Sequence, residues 1–164
     1  MQMDHTLSLI LCKAENAKLV EYFCEANVEF LIVGGAAMAA YGCRDAADVD
    51  DLDLLVSPTL ENAQKIFSAL FAAQIPLSAE PQSLAKPAVQ MPIKNGQYWA
   101  ELITPLEGFK FEEMLEAAVA IKFRSGTLYI VSLSDLRKMK EAVIADTQRL
   151  LVKHQRDLEC LRNI

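Results

Sequence analysis

The run Glu29-Phe30-Leu31-Ile32-Val33 stops at Gly34-Gly35, and the alanine-rich stretch Ala36–Tyr41 follows at once. A short apolar run ended by two glycines suits a buried strand. Alanine is the best helix former, and Gly42 closes the stretch as a helix-ending residue. A strand that turns directly into a helix commits the chain to layers of sheet and helix rather than to a bundle or a sandwich.

The remaining pattern agrees. Residues up to about Ala26 read as one or two helices, with Leu19, Phe23 and Ala26 on one face. Asp51-Leu-Asp-Leu-Leu-Val56 is a second strand, stopped by Ser57-Pro58-Thr59. In the helix that follows, Ala63, Ile66, Phe67, Leu70 and Phe71 match an amphipathic template, which predicts that all five pack on a core. Residues 75–87 form a Pro/Ser loop. The runs Ala88–Ile93 and Tyr98–Ile103 flank Asn95-Gly96, the strongest short hairpin signal. A short helix around Phe111–Ala117 precedes a second hairpin, Val119–Phe123 and Leu128–Val131, turning at Ser125-Gly126. Ser132-x-x-Asp135 is a capping box opening a helix with Leu136, Met139 and Val143 on one face. A last helix from about Asp146 carries Leu151, His154, Leu158 and Leu161. The two hairpins exclude a purely parallel, doubly wound sheet. The expected fold is α/β (α+β): one domain over residues 1–164, with an N-terminal helical segment (1–27), a mixed-sheet core (28–131) and a C-terminal helical pair (132–164).

Several classes of function drop out. A net charge of −6 argues against strong nonspecific nucleic-acid binding, which needs clustered Lys and Arg. No run is long and apolar enough for a membrane span, and the N-terminus lacks the form of a signal peptide. Cys12, Cys24, Cys43 and Cys160 are scattered without metal-ligand spacing and read as reduced core residues of a cytoplasmic protein. His154 reads as a packed histidine and Lys140 as a solvated helix residue.

Two features carry chemistry. Glycines between strand and helix bring backbone close to a ligand, at a helix end that favours phosphate. In a strand, Asp51 and Asp53 face one side with Leu55. Two carboxylates on one face of an apolar strand repel each other and resist desolvation. A hard divalent cation such as Mg²⁺ or Mn²⁺, shared with substrate phosphates, resolves that conflict.

Together, Phe30-Leu-Ile-Val-Gly-Gly-Ala-Ala, Gly42, Arg44 and Asp51-Leu-Asp-Leu-Leu-Val56 resemble the DNA polymerase β-like nucleotidyltransferase superfamily, specifically its minimal single-domain bacterial members. The resemblance extends through Trp99-Ala-Glu-Leu-Ile-Thr104, Leu133-Ser-Asp-Leu, Met139-Lys140 and Lys153 to Asp157-Leu158. It implies that Gly34, Gly35, Arg44 and Lys140 contact the triphosphate, and that Asp51, Asp53 and Glu101 hold one or two Mg²⁺ (or Mn²⁺) ions. It further implies transfer of a nucleoside monophosphate from a nucleoside triphosphate to an acceptor hydroxyl, with a homodimer or partner protein completing acceptor recognition.

This chain departs from the family pattern in two places. Residues 36–50 make a longer loop before Asp51 than is usual, and Asp48-Val49-Asp50 is a second acid pair at the more usual spacing. Glu101 stands where the third acid is usually Asp. These departures leave room for a second reading, a catalytically weak or inactive nucleotide-binding module acting with a partner protein, as in toxin–antitoxin or regulatory pairs.

Overall fold

The computed structural model describes residues 2–94, 99–124, 126–146 and 151–164. Helices α1 (Gln2–Leu11) and α2 (Asn16–Glu25) lead into strand β1 (Phe30–Ile32) and helix α3 (Gly34–Ala40). Strand β2 (Leu52–Val56) and helix α4 (Leu60–Ala72) follow, then the hairpin β3 (Gln90–Lys94) and β4 (Trp99–Ile103). Helix α5 (Phe111–Glu116), hairpin β5 (Val119–Phe123) and β6 (Gly126–Ile130), and helices α6 (Leu133–Asp146) and α7 (Leu151–Arg162) complete the chain. The Asn95-Gly96 turn, Ser125 and the junction at residues 147–150 lie outside the described residues.

The fold is a mixed α/β fold around a six-stranded sheet of order β3-β4-β2-β1-β6-β5. β1 pairs antiparallel with β2 and parallel with β6, and β2 runs parallel to β4. Alternation sorts β2 cleanly. Leu52, Leu54 and Val56 are fully buried on one face, while Asp53 and Leu55 turn to the other. Each such leucine removed from water stabilises the fold by roughly 1.5–3 kcal/mol. Helices α2 and α4 pack on each other, as do α1 and α3, and α7 packs along α6.

Local signals set the ends. Thr59 caps α4 by accepting from Asn62 N at 3.1 Å. Ser132 Oγ accepts from Asp135 N at 3.1 Å and donates to the Asp135 carboxylate at 2.7 Å, opening α6. The loop before β2 is built rather than slack. Asp45 accepts from Ala47 N at 2.9 Å and starts a 3-10 turn over Ala46–Asp48. Lys13 Nζ then donates to the carbonyls of Ala46, Ala47 and Val49 at 2.7, 3.3 and 2.7 Å.

Two expectations need correction. Cys43 and Cys160 form a disulfide, Cys12 is exposed and Cys24 is half-buried, so the four are not reduced core residues. Their spacing gave no sign of the pair because 117 positions separate its members, and only the packing of α7 beside the loop after α3 brings them together. Phe71 is 86% exposed, unlike Ala63, Ile66 and Leu70. Position 71 sits about 80° around the helix from Ala63, at the margin of the apolar stripe. No helix among the described residues is long and apolar enough to cross a membrane.

Candidate active site

Strand β1 ends where β2 is deepest. Val33 N donates to Asp53 O at 3.1 Å, holding the Gly34-Gly35 turn against β2. Gly34 has φ +59°, and a Cβ there would fall 1.8 Å from Asp53 Oδ2. A Cβ on Gly35 would lie 2.8 Å from Arg44 Nη1. The glycines thus admit a carboxylate and a guanidinium from this chain, where sequence reasoning assigned them only to phosphate. The Gly35 backbone also donates to the Asp53 carboxyl.

Asp53 and Glu101 are direct partners in the parallel β2–β4 register, so their carboxyls project side by side from neighbouring strands roughly 4.8 Å apart. Asp53 is pushed up to about 6, chiefly by burial and next by the charge of Glu101. The Gly35 hydrogen bond and the Lys140 charge offset part of that rise, and Asp51 adds to it. Asp51 precedes β2 by one residue and adds its charge to Asp53, but it is not among the residues that line the cleft into which Asp53 and Glu101 open.

Both acids open into a cleft of about 350 Å³, lined also by Val33 and Gly34, by Lys140 from α6 and by His154 from α7. Asp48 and Asp50 are exposed and line no part of it; Asp48 borders a separate cleft beside Arg44 and Lys153.

Lys140 is buried, not a solvated helix residue. Its Nζ donates to Asp157 Oδ2 at 2.7 Å and stands 3.5 Å from His154 Nδ1. Arg44 Nη2 reaches both oxygens of the same carboxylate, at 3.0 and 2.8 Å. The three side chains are 8–13% exposed. Burial alone would raise Asp157, but Lys140 and Arg44 hold it below the usual carboxylate range. Burial, then the Lys140 charge, lowers His154. The sequence singled out Arg44 and Lys140 separately and took Asp157 only as part of a tail resemblance.

Trp99 is 47% exposed rather than a core residue, and shares its β4 face with Glu101. Buried Asn16 fixes its backbone, accepting from Trp99 N at 2.9 Å and donating to Trp99 O at 3.1 Å. Asn16 and Lys13 escaped sequence reasoning because their partners are backbone groups far along the chain.

Among the described residues, no group of three or more His, Cys, Asp or Glu is arranged to ligate a metal. Magnesium requires only one or two carboxylates with phosphates and water. The oxygen donors of Asp53 and Glu101, crowded and charged alike, fit such an ion. No protein-family model matches this chain, and no curated protein matches it.

Proposed function

We propose that the chain is a metal-dependent nucleotidyltransferase of the polymerase β-like kind, transferring a nucleoside monophosphate from a nucleoside triphosphate to an acceptor hydroxyl. The observation that carries the reading is the in-register pair Asp53 and Glu101 beside Gly34, with the Lys140 ammonium facing them across one cleft. Asp51, Asp53 and Glu101 would hold one or two Mg²⁺ ions, which supply charge neutralisation at the phosphates when bound. Lys140 adds positive charge to the triphosphate side, and Arg44, which lines the neighbouring cleft, reaches it through their shared Asp157. Glu101 accepts the proton of the acceptor hydroxyl. The acceptor oxygen bonds to the α-phosphorus, the bond from that phosphorus to its bridging oxygen breaks, and pyrophosphate departs with the electron pair.

The cytoplasmic location expected from sequence belongs to the same proposal. The Cys43–Cys160 disulfide pulls the other way, because cytosolic thiol pools keep most cysteines reduced. Alkylation of intact cells before lysis decides between the two.

Pyrophosphate release across the four nucleoside triphosphates and a panel of acceptors tests the activity. Wild type should release pyrophosphate with Mg²⁺, Glu101→Gln should be slower by ~100-fold or more, and Asp53→Asn should fall to background. Mg²⁺-dependent nucleotide binding with no turnover for any acceptor would favour the binding-module reading instead. Turnover that survives Asp53→Asn would rule this mechanism out.

A further inference from the structure

Next to the acid cleft, an apolar chamber of about 110 Å³ lies between the sheet and helices α5 and α6. The chamber and the acid cleft share four residues: Gln90, Ile103, Met139 and Val143. Ile103 follows Glu101 by two positions on β4, so it projects from the same face about 7 Å further along. Leu55 and Met114, both buried, line the chamber, and Leu106 stands at its rim.

We infer that this chamber is the subsite for an aliphatic group carried by the acceptor, which is therefore an alcohol bearing a compact branched hydrocarbon a few bonds from its hydroxyl. The inference rests on the proposed transfer reaction, because Glu101 marks the acceptor side of the cleft.

Size limits the occupant. An engineered cavity of about 150 Å³ lined by Leu, Ile and Phe takes benzene, so a chamber of about 110 Å³ suits a branched group of about four carbons. Chemistry limits it further. Thr104 Oγ1 already accepts from Val89 N at 2.8 Å and donates to Lys86 O at 2.6 Å. The backbone groups beside it are also spent: Thr104 N donates to Val89 O and Ala88 N to Pro105 O. A nucleobase has several polar edge atoms, and burying them among Leu, Ile, Met and Val would leave them unpaired. A hydrocarbon pays no such penalty. Gln90 stands at the shared mouth, where the polar part of the acceptor emerges.

Methionine reporters make the test direct. Met114 lies in the chamber, Met139 lies at the mouth, and Met38 is buried elsewhere. With methyl-labelled methionine, 3-methylbutan-1-ol should shift the Met114 and Met139 signals and leave Met38 unmoved, while glycerol at equal concentration should move none. Two variants fill the chamber, Val143→Phe from the helix side and Leu106→Trp from the rim. Leu106 is 37% exposed, which makes the second substitution mild for folding. Each should weaken alcohol binding by ~10-fold or more.

An unmoved Met114 signal, a larger shift with uridine or adenosine than with the alcohol, or full binding by both variants would overturn the inference. Pyrophosphate release separates it from the reaction itself. Alcohol binding without turnover leaves the chamber standing and counts against the transferase reading; turnover without a Met114 shift does the reverse.

Discussion

A methyl group at position 34 would occupy the space of the Asp53 carboxylate, and the backbone there is left-handed as well. Gly34→Ala therefore meets two penalties, and should cost at least ~2 kcal/mol in chemical denaturation. Asp53 carries the opposite conflict. Its folded pKa of about 6 lies above the ordinary 3.8. Between those values the folded, metal-free protein keeps a proton that the unfolded chain releases. The favourable contribution is present at low pH and is lost as pH rises through 6, a loss of about 2–3 kcal/mol. Asp53→Asn should accordingly raise the melting temperature by about 5–10 °C at pH 7.5 and leave it nearly unchanged at pH 4. An equal effect at both pH values would mean that Asp53 ionisation is not what strains the site. A residue that destabilises its own fold is common where function requires it.

Among the elements, α7 is held to the rest of the protein by its charges as well as its apolar face. Asp157 on α7 joins Arg44, from the loop after α3, to Lys140 on α6. Arg137 Nε on α6 also donates to Leu161 O at 2.6 Å. Removing the buried carboxylate leaves two buried cations without it, so Asp157→Ala should cost about 3–5 kcal/mol in denaturant unfolding. The pH sign is opposite to that of Asp53. Asp157 is held low, so its contribution is present above the ordinary carboxylate range and is lost as pH falls through its depressed value. The two acids are thus separable in one experiment, since one substitution stabilises at neutral pH and the other destabilises. Sequence patterns revealed where α6 and α7 lie, but not this junction, whose members stand 113 and 17 positions apart.

At the scale of the molecule, the order of helices and strands was legible from apolar periodicity, turn residues and caps. The sheet order was not. Pairing β1 with β6 brings Ile32 beside Ile130, and nothing local in either strand announces that partner. Asp53 and Glu101 drew attention because carboxylates on otherwise apolar strands violate local rules, and the β2–β4 register sets them side by side. Of the four aspartates at positions 48, 50, 51 and 53, Asp53 lines the cleft, and the 3-10 turn and Lys13 clamp that lead into β2 rest on hydrogen bonds with no sequence period. The disulfide was misread for the same reason: cysteine spacing describes local loops, and this bond spans 117 positions. A bridge of that span restricts the unfolded chain by about 4–5 kcal/mol in the chain-entropy account. Dithiothreitol or Cys160→Ser should lower the melting temperature by about 10 °C or more. An unchanged melting curve would show that α7 is held by its packing and charges alone.

Calorimetric binding of each nucleoside triphosphate, with and without Mg²⁺, to wild type and to Asp53→Asn tests the central claim most directly. At least one triphosphate should bind wild type only when Mg²⁺ is present, and Asp53→Asn, though more stable at neutral pH, should not bind it. Binding that ignores Mg²⁺ or survives the substitution, or no binding of any triphosphate by wild type, would contradict the assignment of Asp53 and Glu101 to a nucleotide–metal site.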